Sequence, residues 1–378
     1  MIRFSVTEQS KKSRARLGRL TTPHGVVQTP AMVPVATQAV IKTMTAEDVA
    51  QTKTQLLIAN TFHLHLKPGE RVVKKNGGLH KFMNWPKPLM TDSAGFQVFS
   101  LGFGRDLGLG KTMKWDSGKK VSHGAQPNNL TMTERGVWFR SPLDGRKLFI
   151  GPKESIAIQE ALGADIILAF DECPPPVATK KYLRESIERT HRWAAACLKA
   201  HKSKQALFGI VQGGKYKDLR RHSAEVIGAM PFDGFAIGGE FGTDKKIMST
   251  MVGWVNDVLP PAKPRHLLGI GHPEDIPHII KAGVDTFDCI APTHYARHGT
   301  AFTSRGRIDL TKIIFLNDKK PIDPTCGCAT CKNYSRSYIT HLFRAKELTA
   351  MRLVTFHNIW YFHTLVERYR ELIKQGRL

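Results

Sequence analysis

At 378 residues, with 41% apolar and 23% charged side chains, the chain is long enough for one large globular domain and too apolar for wholesale disorder. No run approaches the roughly 18 consecutive apolar residues of a membrane span, and the N-terminus lacks the apolar stretch of a secretory signal, so a cytoplasmic protein with no membrane partner is expected. Fifty-six Lys and Arg against 32 Asp and Glu give a formal charge of +24, an excess that points to a polyanion, nucleic acid first among them.

In chain order, a basic run comes first: Lys11, Lys12, Arg14, Arg16 and Arg19, which resembles a targeting signal but reads better as solvated surface. Eight short β-rich runs follow, each closed by a polar residue or glycine: AMVPVAT (31–37), LLIAN (56–60), PLMTD (88–92), DIILAF (165–170), FGIVQ (208–212), GFAIGG (234–239), HLLGIG (266–271) and TFDCI (286–290). Helix-like segments lie between them at 45–53, with a Thr-x-x-Asp start, and at 153–162, 180–201, 215–229, 244–258 and 273–282. Such alternation fits an α/β protein, either a doubly wound sheet or a (β/α)8 barrel. The count of eight, without a Gly-x-Gly-x-x-Gly turn, favours the TIM barrel. Chemistry in such barrels sits at the C-terminal ends of the strands, where Asn60, Asp92, Asp171, Gln212, Gly238, Gly269 and Asp288 fall.

The longest interval separates the third and fourth runs. Its Gly-, Lys- and Asn-rich stretch, 102–130, reads as an inserted basic loop, whose Lys111, Lys114, Lys119 and Lys120 either touch phosphates or are merely solvated. The pattern changes again after Arg307. We therefore divide the chain into a barrel at 1–310 and, at 311–378, a cysteine-bearing subdomain with a closing C-terminal helix.

Cys326-x-Cys328-x2-Cys331 is followed by His341, His357 and His363. Three thiolates and one imidazole make a closed tetrahedral Zn2+ site, structural because no coordination position stays open. Spacing alone leaves the choice among the three histidines open.

Asp92 and Asp288 each end a strand at the same mouth. Cleavage of an N-glycosidic bond passes through an oxocarbenium-like state, and two carboxylates can divide the work, one attacking the sugar carbon and the other moving protons. Asp171 and Gln212 offer a carboxylate and an amide of the kind that reads a guanine-like edge. Gly238 and Gly239 would let backbone approach a flat heterocycle, with Phe96 and Leu268 as apolar faces on either side.

NTFHLHLKPG (60–69), TDSAGFQVFS (91–100), FDEC (170–173), GIVQGG (209–214), AIGG (236–239), LLGIGHPEDI (267–276), FDCIAPT (287–293) and the cysteine cluster with His357 in FHN together closely resemble the tRNA-guanine transglycosylase family, bacterial type, over nearly the whole chain. The resemblance implies an irregular TIM barrel with a zinc-binding subdomain inserted near its end, acting as a homodimer on tRNA. It further implies exchange of guanine at the anticodon wobble position for a 7-deazaguanine, either queuine or its aminomethyl precursor, through a covalent aspartyl-ribose intermediate. By the same resemblance Asp288 is the nucleophile and Asp92 the general acid/base. Asp171, Gln212 and Gly238 bind the base between Phe96 and Leu268, and Cys326, Cys328, Cys331 and His357 hold the zinc. No organic cofactor is expected, and no Walker-type loop is present.

Two segments depart from the family pattern. Bacterial members read Gly-Gly-Leu-Ala-Val-Gly-Glu where this chain reads Gly238-Gly239-Glu240-Phe241-Gly242-Thr243-Asp244, and a carboxylate at 240 favours an incoming base with a cationic aminomethyl group. His294 stands where Arg is usual, while Arg297 is retained, which bears on anticodon reading. The competing functions are a non-catalytic RNA-binding subunit, a deazaguanine transglycosylase acting on another tRNA position or on DNA, and a hydrolytic glycosidase that releases base without replacing it.

Overall fold

Each of the eight β-rich runs supplies one strand of a single parallel sheet: Ala31–Pro34, Leu57–Ala59, Leu89–Thr91, Ile166–Leu168, Ala206–Val211, Gly234–Ile237, Arg265–Leu267 and Thr286–Cys289. In the computed structural model, which describes residues 2–99, 130–175, 178–239 and 244–378, the strands neighbour one another in chain order, and the eighth pairs with the first in the register Asp288 to Val33. A parallel bridge between Val35 and Ile58, with Ala36 N–H donating to the Ile58 carbonyl at 2.7 Å, joins the first strand to the second and closes the ring.

Strand periodicity explains the two cores. Val33, Ile58, Met90, Ile166, Leu168, Phe208, Ile210 and Ala236 fill the barrel interior. Their neighbours Met32, Leu57, Leu89, Ile167, Leu207, Phe235, Leu267 and Phe287 point outward into the larger core under the helices. On the last two strands the inward positions are polar, His266 opposite Thr286 in the ladder and then Asp288. Helices Pro152–Leu162, Lys180–Ala200, Lys217–Ala229, Lys245–Asn256 and Ile276–Lys281 follow the expected spacing. The first, Ala46–Ala50, starts on the expected capping box, with Thr45 and Asp48 each accepting from the other's backbone N–H.

Two three-stranded antiparallel sheets and a two-stranded hairpin were not foreseen. Arg3–Gln9, Arg16–Thr22 and Gly25–Thr29 form one, and its Leu20 and Val27 join the barrel-interior cluster, so it plugs the N-terminal end. Reading the basic run as solvated surface fails for Arg16. It is 4% exposed and forms a bidentate pair with Asp285, Nε to Oδ1 at 2.8 Å and Nη2 to Oδ2 at 2.6 Å, fastening the plug to the strand that carries Asp288. The second sheet, Thr131–Thr133, Gly136–Arg140 and Lys147–Ile150, follows the stretch read as inserted, in the interval between the third and fourth barrel strands; the basic loop itself, apart from Leu130, lies outside the described residues, as do Glu240 and Phe241.

After the barrel, a hairpin (Thr300–Thr303 with Gly306–Asp309) leads to helices Ala329–Asn333 and Arg336–Arg344 and then the 27-residue helix Leu348–Lys374. That helix packs against both Ala291–Arg297 and the first barrel strand. Among the described residues no helix is long and apolar enough to cross a membrane.

Candidate active site

At the C-terminal mouth, three strand ends build a compact polar pocket. Asp171, past the fourth strand, is 5% exposed. Its Oδ1 accepts from Ser93 Oγ at 3.0 Å and its Oδ2 from Gln212 Nε2 at 2.7 Å. Burial outweighs these hydrogen bonds, and with some repulsion from Asp92 it raises the Asp171 carboxyl from 3.8 to about 6. Gln212 is 1% exposed, and its Oε1 has no hydrogen-bond partner among the described residues. A buried acceptor left open at a mouth is a place for a ligand donor.

Glycine at this pocket is dictated by space. A Cβ on Gly238 would meet Gln212 Nε2 at 2.7 Å, one on Gly239 would meet Gln212 Oε1 at 2.7 Å, and one on Gly95 would meet the Asp171 carbonyl at 2.7 Å. Gly239 also has φ +94°, a conformation that L side chains rarely adopt. Arg220 reaches in from helix Lys217–Ala229, Nε to the Gly214 carbonyl at 2.6 Å and Nη1 to the Gly238 carbonyl at 3.0 Å, and so clamps the backbone of two strand ends.

Asp92, past the third strand, accepts from Thr61 N–H at 2.9 Å, Ala94 N–H at 3.2 Å, Gln97 Nε2 at 2.8 Å and Asn60 Nδ2. Desolvation raises its carboxyl above the ordinary value despite those donors, which suits a group that gains and loses a proton. Asp288 is held differently. Its Oδ1 accepts from Gly269 N–H at 2.9 Å and lies 3.2 Å from His266 Nε2; Oδ2 has no hydrogen bond among the described residues. A carboxylate fixed by one oxygen with the other bare is arranged for attack.

Phe96 lies in the helical turn at 95–99, directly after the Asp92 segment, and is 57% exposed. Leu268, past the seventh strand, packs against the barrel-interior cluster. The structure therefore gathers Asp92, Asp171, Gln212, Gly238, Gly239, Leu268, Phe96 and Asp288 on one end of the barrel. His294 and Arg297 lie on helix Ala291–Arg297, one turn past Asp288, with Arg297 Nη1 donating to the Thr293 carbonyl at 2.9 Å.

Cys326, Cys328, Cys331 and His357 bring their ligand atoms within 4.8 Å of one another, a group that could hold a metal ion. His357 Nδ1 lies 3.6 Å from Cys328 Sγ and 3.3 Å from Cys331 Sγ, while Nε2 donates to the Phe302 carbonyl at 2.8 Å, which fixes the tautomer that leaves Nδ1 to the metal. Of the other two histidines, His363 is buried against Thr54 Oγ1 at 2.9 Å and His341 is exposed.

Sequence reading missed Ser93, Gln97, Arg220, His266 and Thr286. Arg220 and His266 carried one available signal: each is a polar residue on the apolar face of its own helix or strand.

The family described as queuine tRNA-ribosyltransferase matches residues 10–378. The chain is 46% identical over 380 residues to a queuine tRNA-ribosyltransferase of Caldanaerobacter subterraneus subsp. tengcongensis, covering 100% of this chain and 95% of that one. It is 45% identical to those of Halothermothrix orenii, with 100% and 95% covered, and of Lysinibacillus sphaericus, with 100% and 93% covered.

Proposed function

The chain belongs to the queuine tRNA-ribosyltransferase family and is a transferase acting on tRNA guanine; on that premise we propose that it exchanges the wobble guanine for a 7-deazaguanine through an ester between Asp288 and the ribose. The observation that carries this reading is the one-sided tethering of Asp288. The bare Oδ2 donates a lone pair to C1′ as the C1′–N9 bond breaks, and the bond's electron pair leaves with guanine, which takes a proton from Asp92. The incoming base then gives its N9 proton to the Asp92 carboxylate and attacks C1′, the C1′–O bond breaks, and its electron pair returns to Asp288.

In the pocket, ionised Asp171 accepts from the N–H groups of a guanine edge, Gln212 Nε2, one of whose two hydrogens goes to Asp171, turns the other to its carbonyl, Gly238 and Gly239 let the backbone come close, and the ring is held between Phe96 and Leu268. Because one glycosidic bond replaces another, the exchange needs no organic cofactor. We assign the incoming base as the aminomethyl precursor, since Glu240 supplies a carboxylate of the right charge in the stretch of sequence that follows the sixth strand; Glu240→Leu that left discrimination against queuine unchanged would remove that assignment.

Zn2+ fits three thiolates and an imidazole with no open position, so Cys326, Cys328, Cys331 and His357 would hold it as a structural ion. Ile313, Ile314 and Leu348, between 62% and 73% exposed around that subdomain, support a second copy of the chain as the apolar partner, hence a homodimer. His294 and Arg297 belong on the tRNA side of the mouth, and the lysines of 102–130 add charge against the phosphates. Removing that loop should flatten the log-log salt dependence of tRNA binding by about one for each phosphate its lysines neutralise. The whole reading places the enzyme in the cytoplasm with tRNA.

The test is incorporation of labelled guanine into tRNA, followed by chase with each deazaguanine. Replacement of label by a deazaguanine supports the reading; release of base without replacement indicates a hydrolase, and no incorporation indicates an accessory subunit or a DNA substrate.

A further inference from the structure

Directly beneath Asp288, the barrel interior holds a histidine where most inward strand positions hold apolar side chains. His266 is fully buried. Its Nδ1 lies 2.9 Å from Thr286 Oγ1 and its Nε2 3.2 Å from Asp288 Oδ1. Asp288 Oδ1 already accepts from Gly269 N–H. For a neutral imidazole, the arrangement that leaves neither ring nitrogen unpaired has Thr286 donating to Nδ1 and Nε2–H donating to Asp288. The hydroxyl thus selects the tautomer, and the ring delivers a donor to the oxygen that does not attack.

We propose that His266 is a positioning residue for Asp288 that sets how readily the aspartyl-ribose ester is discharged. The inference rests on the covalent reading above. A hydrogen bond to a carboxylate is about twice as strong as one to a neutral carbonyl. Nε2–H therefore stabilises free Asp288 more than its ester. When the incoming base attacks C1′ and the C1′–O bond breaks, its electron pair returns to the carboxylate that this donor stabilises, so the donor favours discharge. The same bond holds the carboxyl plane so that Oδ2, not Oδ1, faces the sugar.

The experiment compares two amides. A glutamine at 266 can bring its Nε2 to the place of the imidazole Nε2, whereas an asparagine reaches only the Nδ1 position near Thr286. Covalent enzyme–tRNA adducts are formed with wild type, His266→Gln, His266→Asn and His266→Ala, then chased with free guanine, and the rate of adduct loss is read on denaturing gels. Discharge at close to the wild-type rate in His266→Gln, and roughly fivefold to tenfold slower in His266→Asn and His266→Ala with KM for guanine unchanged, is the expected result. If the Asn and Ala forms do not fold, Thr286→Val keeps the ring but removes the hydroxyl that selects its tautomer, and it should slow discharge in the same direction. Equal discharge by the Gln and Asn forms, or wild-type discharge in the Ala or Val form, overturns the proposal while leaving the covalent reading intact. Failure of the wild type to form an adduct overturns both.

Discussion

Asp171→Asn separates stability from function at one atom pair. In the folded protein the Asp171 carboxyl rises from 3.8 to about 6 because burial disfavours its charge. Below pH 3.8 it is neutral in both states and makes no difference. Between 3.8 and about 6 the unfolded chain ionises while the folded one does not, so stability falls as pH rises; above 6 the loss is complete. At roughly 1.4 kcal/mol for each tenfold change in proton affinity, the loss is on the order of 3 kcal/mol. Asparagine has the same shape and no charge. Its new N–H2 would face Gln212 Nε2, but Gln212 Oε1 is unpaired, so rotating the Gln212 amide supplies an acceptor. Urea titrations at pH 4.5, 6 and 8 should show Asp171→Asn more stable than wild type by about 2–3 kcal/mol at pH 8, with the gap closing towards pH 4.5. Affinity for guanine should fall by about 100-fold or more, because a carboxylate matched to two donors is lost. No gain at pH 8, or a gain that persists unchanged in acid, would refute the reasoning.

Gly238→Ala places a methyl 2.7 Å from Gln212 Nε2 and pushes the amide out of register. KM for the base should rise at least about tenfold while that for tRNA stays within about twofold, with a stability loss of about 1–3 kcal/mol; an unchanged base KM would contradict the close-approach account. Arg16→Ala leaves the buried Asp285 carboxylate with the Arg265 backbone N–H as its one remaining hydrogen-bond donor among the described residues and the Arg265 guanidinium as its countercharge. Chemical denaturation should report a loss of about 3 kcal/mol with kcat nearly unchanged in the folded protein, and a loss under about 1 kcal/mol would mean that the plug does not depend on this pair. His357→Ala should reduce bound zinc, measured by metal analysis, from about one per chain to a small fraction and lower the melting temperature. Full zinc occupancy in that variant would assign the fourth ligand elsewhere.

The barrel was legible because its strands are short apolar runs ending in polar residues, and that local pattern survives folding without help from distant contacts. The N-terminal plug was not. RFSVTEQ and RLGRLTT mix charge with apolar residues like an exposed segment, and the partner that buries Arg16 lies 269 positions away at Asp285. The strand-end carboxylates could be read one by one, whereas the difference between Asp92, with four donors, and Asp288, tethered by one oxygen, exists only in three dimensions. The three histidines after the cysteines were equivalent by spacing. They are separated by what else each one touches: His363 is committed to Thr54, His341 faces solvent, and His357 is aligned by Phe302.

The most direct test of Asp288 as the attacking group is exchange of labelled guanine into unfractionated tRNA by zinc-loaded protein, run beside Asp288→Asn and followed by chase with each deazaguanine. Label that enters with wild type, is displaced by a deazaguanine and does not enter with the folded variant is the predicted result. Equal incorporation by Asp288→Asn would contradict the account.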